Sequence, residues 1–186
     1  DPVAFTPDEV SRLADAAERN CIELIPLQQN LAHLDYVLRH ERHTHLREYP
    51  DKINLLCPSN PESIELFKAL AAEVIRLHPR SKWFHIGGDE ARKIGGCPRC
   101  LPRTGQESVG AIYGKYVGQA ARWLLDQGLR PLLWDDTLCA FPEAFEPSPL
   151  TSSWKPGMSL MTRSCTPLSW LWRSIRTMPG FESSSV

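Results

Sequence analysis

The chain has 186 residues, 21 basic and 22 acidic side chains, and a formal net charge of −1. That balance leaves no electrostatic footprint for nucleic acid or an anionic membrane, so the expected partner is a small or oligomeric neutral molecule. Six cysteines without a spaced disulfide framework, and no Asn-x-Ser/Thr acceptor, point to a reducing, intracellular compartment.

Thr6-Pro7-Asp8-Glu9 is a capping box with proline at the first helical position, and Val10, Leu13, Ala14 and Ala17 recur at helical spacing as far as Asn20. Ile22 to Leu27 then predicts a buried strand. A long polar segment follows in which His40, His43 and His45 read as a solvated surface. Asn60-Pro61 starts a second helix, with Ile64, Phe67, Leu70, Ala71, Val74 and Leu77 on one face. Lys82 to Ile86 predicts a second strand. Val109, Ile112, Tyr113, Tyr116, Val117, Ala120 and Leu124 mark a third helix closed by Gly128, and Arg130 to Trp134 predicts a third strand. Helix and strand alternating in this order is the pattern of parallel βαβ units with right-handed crossovers. The natural parent is an eight-stranded barrel, which usually needs roughly 250 residues. Three central strands predict a partial (β/α)8 TIM barrel, incomplete, over residues 1–146.

Within the second strand the string Trp83 to Ala91, WFHIGGDEA, ends an apolar run in two glycines and two carboxylates. Gly87-Gly88 lets the backbone bend or approach a ligand, and Asp89 and Glu90 then stand at a strand's C-terminal end, where α/β folds do chemistry. Two neighbouring acids in a partly dry cleft tend to divide into one ionised and one protonated group. The competing reading is turn and helix-start chemistry, with Asp as cap and Glu in a first helical turn.

The string H-x-G-G-D-E resembles the catalytic signature of glycoside hydrolase family 20 β-N-acetylhexosaminidases. The similarity runs from about Phe5 to about Phe141 and includes IPLQQNLAHLDYVL at 25–38, NLLCPSNPES at 54–63 and PLLWDDTL at 131–138. The D-type branch of that family is the one these segments look most like. By motif position the resemblance puts His33 and His85 at the sugar pocket and brings Trp134, Asp135 and Asp136 to its rim. Ala32 stands where relatives usually have glycine, so the backbone around His33 is expected to differ there. The resemblance implies substrate-assisted retaining hydrolysis, in which the 2-acetamido carbonyl attacks the anomeric carbon and no enzyme nucleophile is needed. Glu90 is then the general acid and base, and Asp89 holds the acetamido N–H. Trp134 would offer an apolar wall, with core packing as its plainer role, and Asp135 or Asp136 would bind hydroxyls.

No cofactor and no metal are expected for that reaction. The implied partner is a glycoside or oligosaccharide ending in N-acetylhexosamine, GalNAc or GlcNAc, with no nucleic acid or membrane partner, and with a homodimer left open by unpaired strand edges. The same resemblance implies cytoplasm or nucleus. Further tryptophans and a tyrosine that the family places on later strands have no counterpart here, so this chain is expected to be weak or inactive on its own.

Cys97-Pro-Arg-Cys100 admits half a zinc knuckle or a redox pair, but reads first as an ordinary loop pair. A tetrahedral zinc would need two further ligands, for which Cys57, Cys139, His43 and His45 are candidates. Residues 147–186 are rich in Ser, Trp, Pro and Arg, show no helical or strand period, and hold four basic residues with Glu182 the one acid. Their charges and prolines exclude a membrane anchor. They read as an atypical, irregular tail, either binding a partner or replacing the later strands as an alternative or out-of-frame end. Trp154, Trp170 and Trp172 do not substitute for the family's aromatic walls. Two other function classes compete. Gly-Gly-Asp-Glu also begins the signature of Mg²⁺-dependent diguanylate cyclases, although Ala91 stands where phenylalanine normally follows. A fragment that only binds sugar or a partner is the second.

Overall fold

The computed structural model describes residues 4–145 and 159–161. Its first element, α1 (Pro7–Arg19), opens at the predicted capping box. Thr6 Oγ1 accepts the Glu9 N–H at 3.3 Å, and the Glu9 carboxylate accepts the Thr6 N–H at 2.8 Å. Two short elements follow, α2 (Asp35–Leu38) and a 3-10 turn at Glu41–Leu46. α3 (Pro61–Leu77) starts where Asn60 Oδ1 accepts the Glu62 N–H at 3.1 Å, with Pro61 supplying a preset φ at a position whose N–H needs no partner. A single turn, α4 (Leu101–Thr104), precedes α5 (Val109–Asp126), capped by Ser108 Oγ on the Ala111 N–H at 3.0 Å. α6 (Asp136–Ala140) and a 3-10 turn at Pro142–Phe145 come next.

The strands are β1 (Trp83–His85), β2 (Arg130–Trp134) and β3 (Ser159–Met161), all parallel in the order β1-β2-β3. Trp83 pairs with Arg130 and His85 with Leu132, while Leu132 pairs with Ser159. α3 and α5 pack on this sheet through Phe67 and Ala71 from one helix and Tyr113, Tyr116, Val117, Ala120 and Leu124 from the other, around Phe84, Ile86 and Leu133. Trp123 sets its ring edge-to-face on Phe67, centroids 6.3 Å apart. Each of the larger apolar side chains taken from water contributes roughly 1.5–3 kcal/mol, and an alanine less, which explains why the helices lie where their apolar stripes predict.

Two sequence expectations meet a different structure. The buried strand expected at 22–27 is reduced to one parallel bridge, Leu27 to His85, made by the His85 N–H on Pro26 O at 2.8 Å and the Gln28 N–H on His85 O at 3.0 Å. Pro26 has no N–H to extend the ladder. Ile22, Ile25 and Leu27 are exposed rather than buried. Conversely, β3 falls inside the segment read as irregular, because Ser-Leu-Met is too short to show a two-residue period; the rest of 147–186 lies outside the described residues. Among the described residues no helix is long and apolar enough to cross a membrane.

Candidate active site

β1 hands over to the Gly-Gly turn under tight steric control. Gly87 and Gly88 have φ of +67° and +85°, a region that glycine enters without cost. A Cβ on Gly87 would lie 1.8 Å from Gln29 Oε1, and one on Gly88 would lie 2.3 Å from Leu133 Cδ1. The backbone is therefore pressed against both neighbours. Tyr113, rising from α5, donates its hydroxyl to Gly88 O at 2.8 Å. Burial pushes this phenol far above its ordinary range, and the nearby Asp136 and Asp89 charges add to the effect, so it stays a donor. His85 Nδ1 accepts the Gly87 N–H at 2.9 Å, which makes that nitrogen the unprotonated one of a neutral ring. The ring is buried and lies against Trp134 at 4.5 Å between centroids.

The two acids part company at the end of this turn. Asp89 is 4 % exposed, with Oδ1 accepting from Gln29 Nε2 at 3.1 Å. Glu90 presents a side chain that is 65 % exposed. His33 Nε2 sits 3.5 Å from Asp89 Oδ2 and 3.5 Å from Glu90 Oε2, so one imidazole faces both carboxylates. Glu90 has φ +54°, and its N–H donates to Asp136 Oδ2 at 3.1 Å; the next N–H, of Ala91, donates to Thr137 Oγ1 at 3.3 Å. The chain following β2 thus holds the strained residue in place. His33 is strained too, at φ +57°, and these two site residues account for two of the three non-glycine residues with positive φ among the described residues. The strained residue directly follows Ala32, in the stretch around His33 where the sequence suggested a departure.

His33, Asp89 and Glu90 from loops, and Asp136 from the first turn of α6, therefore converge beyond the C-terminal ends of neighbouring parallel segments. Asp89 and Glu90 lie in a turn, as the competing reading expected, but no helix begins at either, so neither serves as a helix start. Glu90, His33 and Asp136 line a cleft of about 770 Å³ with Lys52, Asn54 and Arg92. His85 lies beneath the cleft as a support for the Gly87 amide. Trp134 is half-buried on His85, and Asp135 is wholly buried at the start of α6, behind the cleft instead of on its wall. Gln29, Tyr113, Lys52 and Arg92 were not singled out by sequence. Tyr113 is hidden there by its place on the apolar face of a helix, and Gln29, although inside the quoted segment 25–38, by an uncharged amide that marks no chemistry on its own.

Comparison with known proteins gives concordant results. The model of glycosyl hydrolase family 20, catalytic domain, matches residues 3–164. Hexosaminidase D of Bos taurus is 34% identical over 144 residues, covering 75% of this chain and 42% of that protein. Hexosaminidase D of Homo sapiens is 33% identical over 144 residues, covering 75% of this chain and 30% of that protein. The chain thus spans less than half the length of these curated relatives. The crystal structure of a β-N-acetylhexosaminidase from Bacteroides fragilis NCTC 9343 superposes with a TM-score of 0.64 at 22% identity, over 84% of this chain and 29% of that one. Dispersin B superposes with a TM-score of 0.62 at 20% identity, over 84% and 42% of the two chains.

Proposed function

The chain belongs to glycosyl hydrolase family 20, and we propose that it carries the working carboxylates of a β-N-acetylhexosaminidase that releases terminal β-linked GalNAc or GlcNAc by substrate-assisted retaining catalysis. The observation that carries this reading is the unequal placement of the two acids. Glu90 projects into the cleft, where it can protonate a departing glycosidic oxygen and later take a proton from water, a role worth about 10² to 10⁴-fold in rate. Asp89 is buried and fixed by Gln29, as suits a group that orients the acetamido N–H and offsets the positive charge developing on the oxazolinium. His33 Nε2, between them, faces both carboxylates from 3.5 Å.

The same reading makes the described sheet the central part of a (β/α)8 barrel. Exposed Ile25 and Leu27, two residues apart beside the bridge to β1, support it, since closing a barrel would bury apolar side chains there. Sugar-facing walls contributed by such strands would set the GalNAc-to-GlcNAc preference and the rate, so the chain by itself is expected to be a weak catalyst. A reducing compartment, cytoplasm or nucleus, fits the exposed thiol of Cys21.

Hydrolysis of 4-nitrophenyl N-acetyl-β-galactosaminide and glucosaminide, beside an alkyl glycoside of each sugar, tests the assignment. Glu90→Gln is expected to lower the rate about 10² to 10⁴-fold on the alkyl glycosides and less on the nitrophenyl ones, whose leaving group needs little protonation. Equal losses on both classes, or none, would contradict Glu90 as the acid.

A further inference from the structure

Away from the cleft, the fold gathers four buried side chains that the hydrolytic reading does not use. Glu48, Cys57, Cys97 and Cys100 place their ligand atoms within 4.8 Å of one another. Cys57 Sγ lies 3.4 Å from Cys97 Sγ and 3.7 Å from Cys100 Sγ, and Cys100 Sγ lies 3.5 Å from Glu48 Oε2. We propose that these residues form a structural zinc site with a Cys₃Glu ligand set, which ties the segment carrying His33 and Lys52 to the loop carrying Glu90 and Arg92.

The spacing suits a tetrahedral ion. With Zn–S bonds of about 2.3 Å, two tetrahedral sulfurs stand about 3.8 Å apart, and a sulfur and a carboxylate oxygen about 3.6 Å apart. The local backbone is that of a metal knuckle: the Cys100 N–H points at Cys97 Sγ at 3.4 Å, and the N–H groups of Cys100 and Leu101 both reach Cys97 O at 2.9 Å. Glu48 is 1 % exposed, and its Oε1 is already committed to the N–H groups of Gly96 at 2.8 Å and Cys97 at 3.0 Å. That orientation aims Oε2 at the thiols. A carboxylate buried beside three thiols is costly unless a cation offsets it, and soft thiolate with one hard oxygen is a donor set that zinc accepts. Cys57 is brought there by its N–H on Leu46 O at 2.8 Å, beside the antiparallel bridge between Arg47 and Leu56.

The two competing uses of the cluster fit less well. Redox chemistry needs an accessible thiolate, and all three sulfurs belong to buried residues. A disulfide between two of them would leave the Glu48 oxygen facing an uncharged bond. Of the further ligands that the sequence allowed, Cys57 joins the cluster, whereas the His45 ring pairs with Glu62 at 3.1 Å and the His43 ring with Arg42 at 3.0 Å. The proposal does not depend on the identity of the substrate.

The test is metal analysis of the full chain purified under reducing conditions without chelator. About one zinc per chain, retained through dialysis, is expected, and exchange with Co²⁺ should give a tetrahedral spectrum with thiolate charge-transfer bands. Cys57→Ser should weaken those bands and lower zinc retention at least tenfold, as should Cys97→Ser. Glu48→Gln should keep the charge-transfer bands and shift the ligand-field bands, and Cys21→Ser, outside the cluster, should change neither. Should the cysteine variants fail to fold, metal content and the cobalt spectrum of the unaltered chain still decide. A folded chain that holds no zinc after reconstitution, zinc that washes off on dialysis, or a disulfide joining two of the three cysteines would overturn the proposal.

Discussion

The turn from Gly87 to Glu90 is where residue-level physics is most exposed. Two glycines were legible from sequence as a place where backbone bends, but what they bend around, Gln29 and Leu133, was not, since both lie far away in the chain. Gly88→Ala would force a Cβ onto Leu133 at a φ of +85°, and should cost about 1–3 kcal/mol of stability in denaturant titration, with Gly128→Ala as a control for strain without contact. Asp136 illustrates the opposite case. The resemblance put it among hydroxyl-binding residues, yet its Oδ2 is engaged by the Glu90 N–H at 3.1 Å, with Arg92 3.6 Å away. If its main work is to hold Glu90, Asp136→Ala should lower kcat by about 10²-fold with little change in KM, the cost of displacing a reacting group by about 1 Å. A rise in KM with kcat preserved would return Asp136 to sugar binding.

At the scale of elements, the helices were readable because their signals are local. Thr6, Asn60 and Ser108 cap the helices that follow them, and the apolar stripes of α3 and α5 face the sheet. Asn60 does more than cap: its Nδ2 also donates to His45 O at 3.1 Å, so Asn60→Ala should cost about 1–2 kcal/mol, at the upper end for a cap, measurable as a lower denaturant midpoint. The segment 22–27 was misread because its composition is strand-like while its pairing is settled by neighbours that composition does not report. α4 is fastened to α5 by Glu107, which accepts from Arg103 Nε at 2.9 Å and pairs with Lys115. Burial alone would push the Glu107 carboxyl up, but the bonds and charges of Lys115 and Arg103 outweigh it and hold it below its ordinary 4.5. A lowered carboxylate stabilises fully above pH 4.5, and that stability is lost as pH falls below 4.5 through the folded-state value. Glu107→Gln should therefore flatten the acid limb of the stability profile below about pH 4.5. An unaltered limb would mean that other carboxylates govern it.

Over the whole molecule, the site is assembled from three segments distant in sequence: His33 after the Leu27 bridge, Asp89 and Glu90 after β1, and Asp136 after β2. Parallel strands make this possible, because each returns to the same edge with its following loop. The string H-x-G-G-D-E made the two acids visible without a structure, while Gln29, Tyr113 and the four buried side chains around Glu48 emerged only once the segments were folded together. The division between buried Asp89 and exposed Glu90 is the central claim. Its most direct test is calorimetric binding of a thiazoline analogue of the bicyclic oxazoline intermediate to the chain and to Asp89→Asn. Tighter binding than free N-acetylhexosamine, weakened about 10- to 100-fold in the folded variant, is predicted for a site built around that intermediate. Binding no tighter than that of the free sugar, or equal binding by Asp89→Asn, would contradict the account.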